Sequence, residues 1–147
     1  MSEWIVRIIL GALLLFCGVQ DLLYKRITLW LIGVSALAVL ACLPFCTNLS
    51  FTERLGGCAL GFGVILLSKV TGGKIGLGDG ILLCVTGLGL GFWTNTELFG
   101  LALFLAAVLS ILLLILRLVD RKKNIPFVPF LLAGYVILLV VSKGNIS

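Results

Sequence analysis

Two aspartates, Asp21 and Asp79, are the residues of this chain whose type and setting could do chemistry. An ionised carboxylate is costly in an apolar helix, so an acidic residue near a helix end that faces other helices is a functional candidate by default. Asp21 stands in Val19-Gln20-Asp21-Leu22-Leu23, with apolar residues still following it, and Asp79 stands in Gly76-Leu77-Gly78-Asp79-Gly80. Brought together, two carboxylates form a dyad. One takes a proton from water as general base while the other, kept protonated, donates to the carbonyl oxygen of a scissile amide. That chemistry needs no metal, cofactor or imidazole. The chain has no histidine, which excludes Ser-His-Asp and Cys-His hydrolases, intramembrane Ser-His proteases and HExxH zinc enzymes. Groups that share a proton titrate as a pair, so activity should be bell-shaped in pH.

Simpler readings compete at each position. Asp21 could be a helix-end carboxylate paired with Lys25 or Arg26. Asp79 could be a helix N-cap, but five glycines between positions 72 and 80 exceed what a cap needs. Glycines let one backbone approach another closely, which is useful where a peptide must reach a carboxylate, so Gly76 and Gly78 are assigned to an active-site loop. Gly87, Gly89 and Gly91 read better as helix-packing positions, as do the four-residue spacings Gly76 to Gly80 and Gly87 to Gly91. A nucleotide-binding reading of the glycine run fails for want of a strand or βαβ unit around it.

The elements that must position these groups are membrane helices. Of 147 residues, 61% are hydrophobic and 12% charged, and mean hydropathy is +1.29, against about 45–50% apolar and about 25% charged in ordinary globular domains. Six apolar stretches fall at 4–23, 29–46, 55–70, 75–93, 98–118 and 125–141, the third and sixth being short for a hydrocarbon layer of roughly 30 Å. Lipid cannot hydrogen-bond the backbone, and the stretches are too long and evenly apolar for barrel strands, so the expected fold is an all-α polytopic bundle of about six transmembrane helices. Residues 1–147 form a single integral-membrane domain in this reading, with no repeat or long linker. Glu3 sits where a signal peptide would carry basic residues, so the first stretch is expected to remain.

The net charge of +5 reads as topology, and no nucleic-acid partner is expected. Lys25, Arg26, Lys69, Lys74, Arg117, Arg121, Lys122 and Lys123 fall in one set of connections; Arg7, Arg54 and Lys143 fall in the other, with Glu3, Glu53 and Glu97. The positive-inside rule then places both termini outside and Asp21, Asp79 and Asp120 toward the cytoplasm. Trp4, Trp30 and Trp93 lie near span ends, where aromatic anchors meet lipid headgroups. The five cysteines, at 17, 42, 46, 58 and 84, make no CxxC and read as packing residues.

The chain resembles the type IV prepilin peptidases, membrane aspartyl proteases with a GxGD motif. Asp21-Leu22-Leu23-Tyr24-Lys25-Arg26-Ile27 is similar to that family's first catalytic segment, an aspartate followed by basic residues and an isoleucine six positions on. Gly76-Leu77-Gly78-Asp79 matches the second motif, and Ile125-Pro126-Phe127-Val128-Pro129-Phe130-Leu131 is similar to the proline-containing opening of the family's last helix. Thr28 stands where the family usually has proline, and Ile81 where a lysine commonly follows GxGD. The long members' cytoplasmic cysteine-bearing insertion has no counterpart, which places the chain with the short forms. The resemblance implies an aspartic endopeptidase of a prokaryotic plasma membrane, with Asp21 and Asp79 catalytic. Its substrate would be a prepilin or pseudopilin with a short basic leader in the cytoplasm and a hydrophobic helix in the membrane. By the same resemblance it would serve a type IV pilus or protein secretion.

Other readings follow from the same residues. A small proton- or cation-coupled transporter subunit would use Asp21 and Asp79 to bind an ion near a helix break, but would call for inverted repeats and midplane carboxylates. A structural membrane protein using glycine faces for packing would tolerate either aspartate as asparagine. Ser68 and Lys69, as neighbours on a helix, point to different faces and are a poor peptidase pair. Asp120, among Arg117, Arg121, Lys122 and Lys123, reads as a solvated loop residue and the natural control. Pro126 and Pro129 suit a helix's first turn, where a missing N–H costs little. The cytoplasmic basic residues would repel a basic leader, so they are assigned to topology and lipid headgroups.

Overall fold

The computed structural model describes residues 2–24, 29–42, 44, 49–73, 76–117 and 126–144. These form an all-α bundle of six helices: α1 (Ser2–Tyr24), α2 (Leu29–Cys42), α3 (Phe51–Val70), α4 (Leu77–Leu90), α5 (Phe92–Ile115) and α6 (Val128–Gly144). Three of them, over Trp4–Tyr24, Phe51–Val70 and Phe92–Ile115, are long and apolar enough to cross a membrane. The other three are shorter: at about 1.5 Å per residue, the 14 residues of α4 reach about 21 Å. The segments carrying Lys25, Arg26, Lys74, Asp120, Arg121, Lys122 and Lys123 lie outside the described residues, and with them most of the charge asymmetry and the Asp120 control.

Local chemistry sets the helix ends, several of which differ from the expected stretches; the start of the third and the break between the fourth and fifth show why. The third begins four residues earlier than expected, at Phe51, because Glu53 reaches back to accept the Ser50 N–H at 3.2 Å and closes the first turn. Its end is a Schellman motif: Gly72 takes φ +67°, its N–H donates to Lys69 O at 3.3 Å, and the Gly73 N–H donates to Ser68 O at 2.8 Å. The fourth stretch, expected to run to position 93, breaks at Gly91, whose φ of +81° strains any residue with a Cβ. Phe92 and Trp93 therefore open α5 instead of closing α4.

The bundle centres on α4, which packs against α1, α2, α3 and α5, while α1 also holds α2 and α6. Leu10 and Leu14 of α1, Leu82 and Leu83 of α4, Leu98 of α5 and Leu131 of α6 are fully buried. The tightest seam joins α3 to α4, and it is made of glycine. A methyl on Gly57 would come within 2.5 Å of Gly87 O, and one on Gly61 would strike the Cys84 backbone. Without Cβ atoms the two helices meet backbone to backbone, the means by which helices associate where lipid removes any hydrophobic drive. The packing expected of Gly87 is thus observed. By contrast, Asn95, Leu98 and Ala102 are the buried residues of α5, and Phe104, Ile111 and Ile115 face outward. So wide an apolar exterior suits lipid better than water.

Cys17 is fully buried in the core, and Cys58 and Cys84 are half-buried at the α3–α4 seam, where the Cys84 thiol donates to Cys58 O at 3.4 Å. This matches packing cysteines; the side chains of Cys42 and Cys46 lie outside the description.

Candidate functional site

Asp21 lies near the end of α1 and Asp79 in the first turn of α4, and the antiparallel course of the bundle brings both to one end. Both are buried, Asp21 at 8% exposure and Asp79 at 9%. They are near enough for the charge of Asp21 to act on Asp79. Two buried carboxylates of like charge in mutual reach are unfavourable unless they share a proton, so the pair carries an electrostatic cost that packing elsewhere must offset.

A second helix supplies what Asp21 touches. The Val128 N–H, first of α6, donates to Asp21 Oδ2 at 3.4 Å. The rest of that turn accounts for itself: Pro129 has no N–H, while those of Phe130 and Leu131 donate to Phe127 O at 3.0 and 3.2 Å. Asp21 thus caps α6 from another helix, and the expected place of Pro129 in a first turn is observed. Asp79 sits in the first turn of its own helix. Two helix N-termini, the positive ends of their dipoles, therefore converge on the carboxylates.

The glycines around Asp79 do separate jobs. Gly76 is the N-cap of α4, and a Cβ there would lie 2.6 Å from Asp79 Oδ2, so a side chain would displace the carboxylate. Gly78 lies half-buried within the first turn of α4, in the helix instead of the loop to which it was assigned. Its place follows from the Asp79 N–H donating to Gly76 O at 3.2 Å, which starts the helix at Leu77. Gly80 packs against α3, where a Cβ would meet Ile65 Cγ1 at 2.6 Å. One turn further along α3, Ser68 is fully buried, while Lys69 is exposed on another face. Ser68, buried, and Lys69, exposed, therefore do not form a Ser-Lys pair.

Residues that the sequence did not single out build the other end of α4. Asn95 and Thr86 are both fully buried. Asn95 Nδ2 donates to Gly57 O at 3.2 Å and Leu83 O at 3.1 Å, and the Thr86 hydroxyl donates to Asn95 Oδ1 at 2.7 Å. Arg54, also buried, donates to Leu88 O at 3.4 Å. An asparagine next to a glycine-ended helix carries no mark of such a role in sequence. Among the described residues no group of three or more Cys, Asp or Glu is placed to hold a metal ion.

Comparison with known proteins finds no match to a family model, a curated protein or a solved structure.

Proposed function

We propose that this chain is a membrane-embedded aspartyl endopeptidase that removes the short basic leader from type IV prepilins or pseudopilins at the cytoplasmic face. The observation that carries this reading is that Asp21 and Asp79, 58 positions apart in the chain, are both buried at one end of an apolar bundle and within electrostatic reach of each other. In this mechanism one carboxylate draws a proton from water, and the water oxygen attacks the scissile carbonyl carbon. The other, protonated, donates to the carbonyl oxygen, and the tetrahedral species collapses as a proton passes to the leaving amine. The Val128 N–H holds the Asp21 carboxylate in place, and the bare Gly76 leaves the Asp79 carboxylate the room it occupies. A substrate helix would lie in lipid against the bundle with its polar end at the carboxylates.

The test is cleavage of a fluorescent prepilin-like peptide by protein reconstituted in lipid, with Asp21→Asn, Asp79→Asn and Asp120→Asn compared. The expected result is loss of cleavage in the first two, still folded, and normal cleavage in the third. If wild type cuts nothing, or the first two variants still cut, the peptidase reading falls.

A further inference from the structure

At the end of the bundle away from the aspartates, a cavity of about 460 Å³ opens between α1, α4, α5 and α6. Its volume falls in the roughly 300–1,000 Å³ range of small-ligand sites. Arg7 and Asp21 are 14 residues apart on α1, about 21 Å along the axis, so this is a second place in the molecule. Its walls divide by chemistry. Leu90, Leu138, Leu139 and Val141 are apolar, whereas Arg7 and Glu97 bring opposite charges to the same space.

Arg7 is held in position. Its guanidinium lies over the Trp4 ring, 5.7 Å from the centroid, and Nη1 donates to Ser142 Oγ at a long 3.4 Å, which among the described residues leaves most of its five N–H donors uncommitted. The Tyr135 hydroxyl donates to the Arg7 carbonyl oxygen at 2.6 Å and ties α6 to α1 beneath it. Glu97 is exposed and, among the described residues, has no hydrogen-bond or ion-pair partner. Thr94, one turn before it on α5, faces the same cavity. Arginine and glutamate that line one cavity without pairing suit a ligand that carries both signs.

Exposed Trp4 and Trp93 lie at the same end, as aromatic side chains do at the level of lipid headgroups. We propose that this cavity binds the head of a zwitterionic phospholipid with a primary ammonium, its phosphate on Arg7 and its ammonium on Glu97, the apolar wall taking the start of an acyl chain. A planar guanidinium matches phosphate oxygens in pairs, and a primary ammonium has three N–H donors for Glu97 and Thr94. A quaternary ammonium would instead require an aromatic cage, and among the described residues Tyr135 is the one aromatic side chain lining the cavity. The proposal requires a membrane but not the peptidase activity.

The test is native mass spectrometry of the delipidated full chain in mild detergent. It is titrated with phosphatidylethanolamine, phosphatidylcholine and phosphatidylglycerol of identical acyl chains, and with water-soluble phosphoethanolamine. Wild type should bind the ethanolamine lipid about tenfold more tightly than the other two, the effect of one charge-assisted contact. Glu97→Gln should abolish that preference while leaving phosphatidylglycerol binding unchanged, and Arg7→Gln should weaken all three lipids about tenfold. Glu97 is exposed, so its variant tests the idea even if Arg7→Gln fails to fold. Equal binding of the three lipids by wild type, or a preference that survives Glu97→Gln, overturns the proposal. So does displacement of the lipid by equimolar phosphoethanolamine, which would make the site one for a soluble ligand.

Discussion

The two ends of α4 hold their buried polar groups in opposite ways. At the Leu90 end, Asn95 gives both amide N–H groups to carbonyls and its oxygen receives the Thr86 hydroxyl, so three helices are joined by a closed set of bonds. At the Leu77 end, two buried carboxylates lie within electrostatic reach of each other, and among the described residues Asp21 accepts one long bond, from Val128. The first arrangement lowers the energy of the folded state; the second raises it unless the pair shares a proton. A completed polar network in an apolar interior is a fastening, whereas a like-charged pair that packing must restrain is what catalysis needs and stability does not.

The largest effect that would break this comparison is at the carboxylates. Asp21→Asn and Asp79→Asn should each lower peptide cleavage by about 10³-fold or more, while the melting temperature of the purified protein stays level or rises. A clear fall in melting temperature without loss of cleavage would make the aspartates structural. Next comes the glycine seam on which the GxGD turn rests. Gly57→Leu or Gly87→Val would drive a side chain into the facing backbone and should cost about 3 kcal/mol or more, read as failure to fold or a sharply lower melting temperature.

The fastening at the other end should respond more mildly and in the opposite sense. Asn95→Leu should cost about 2 kcal/mol of stability, and Thr86→Val about 1 kcal/mol, with cleavage per folded molecule retained. Abolished cleavage in a stably folded Asn95→Leu protein would mean that the two ends are coupled. The smallest change is a methyl at Gly76. Gly76→Ala should stay folded but cut about tenfold more slowly, since the Cβ would press on Asp79 Oδ2. The pH profile sharpens the comparison further: wild-type cleavage should rise and fall across two steps that belong to the pair. A single sigmoid would instead point to one working carboxylate.

Much of the fold was legible because lipid allows few solutions. Long apolar runs such as the one over α5 must be helical, and Gly72 with Gly73 ends α3 as glycines do. The boundary between α4 and α5 was not legible, since Gly91 lies in an unbroken apolar run and nothing in its neighbours distinguishes a break from a packing glycine. Asp21 and Asp79 stood out as acids in an apolar chain. Asn95 and Thr86 did not, because uncharged polar residues near a span end have many uses.

By itself the sequence determined the class of fold, the six apolar segments and the two carboxylates, because burial and backbone hydrogen bonding in lipid act on composition and local pattern. Tertiary structure alone decided that α1 and α4 bring those carboxylates to one end, and that α6 lends Asp21 a backbone N–H. It also decided which glycines form the seam with α3. Such choices depend on which helices touch and in what register, and close packing of side chains across distant segments sets that only once the whole chain is folded.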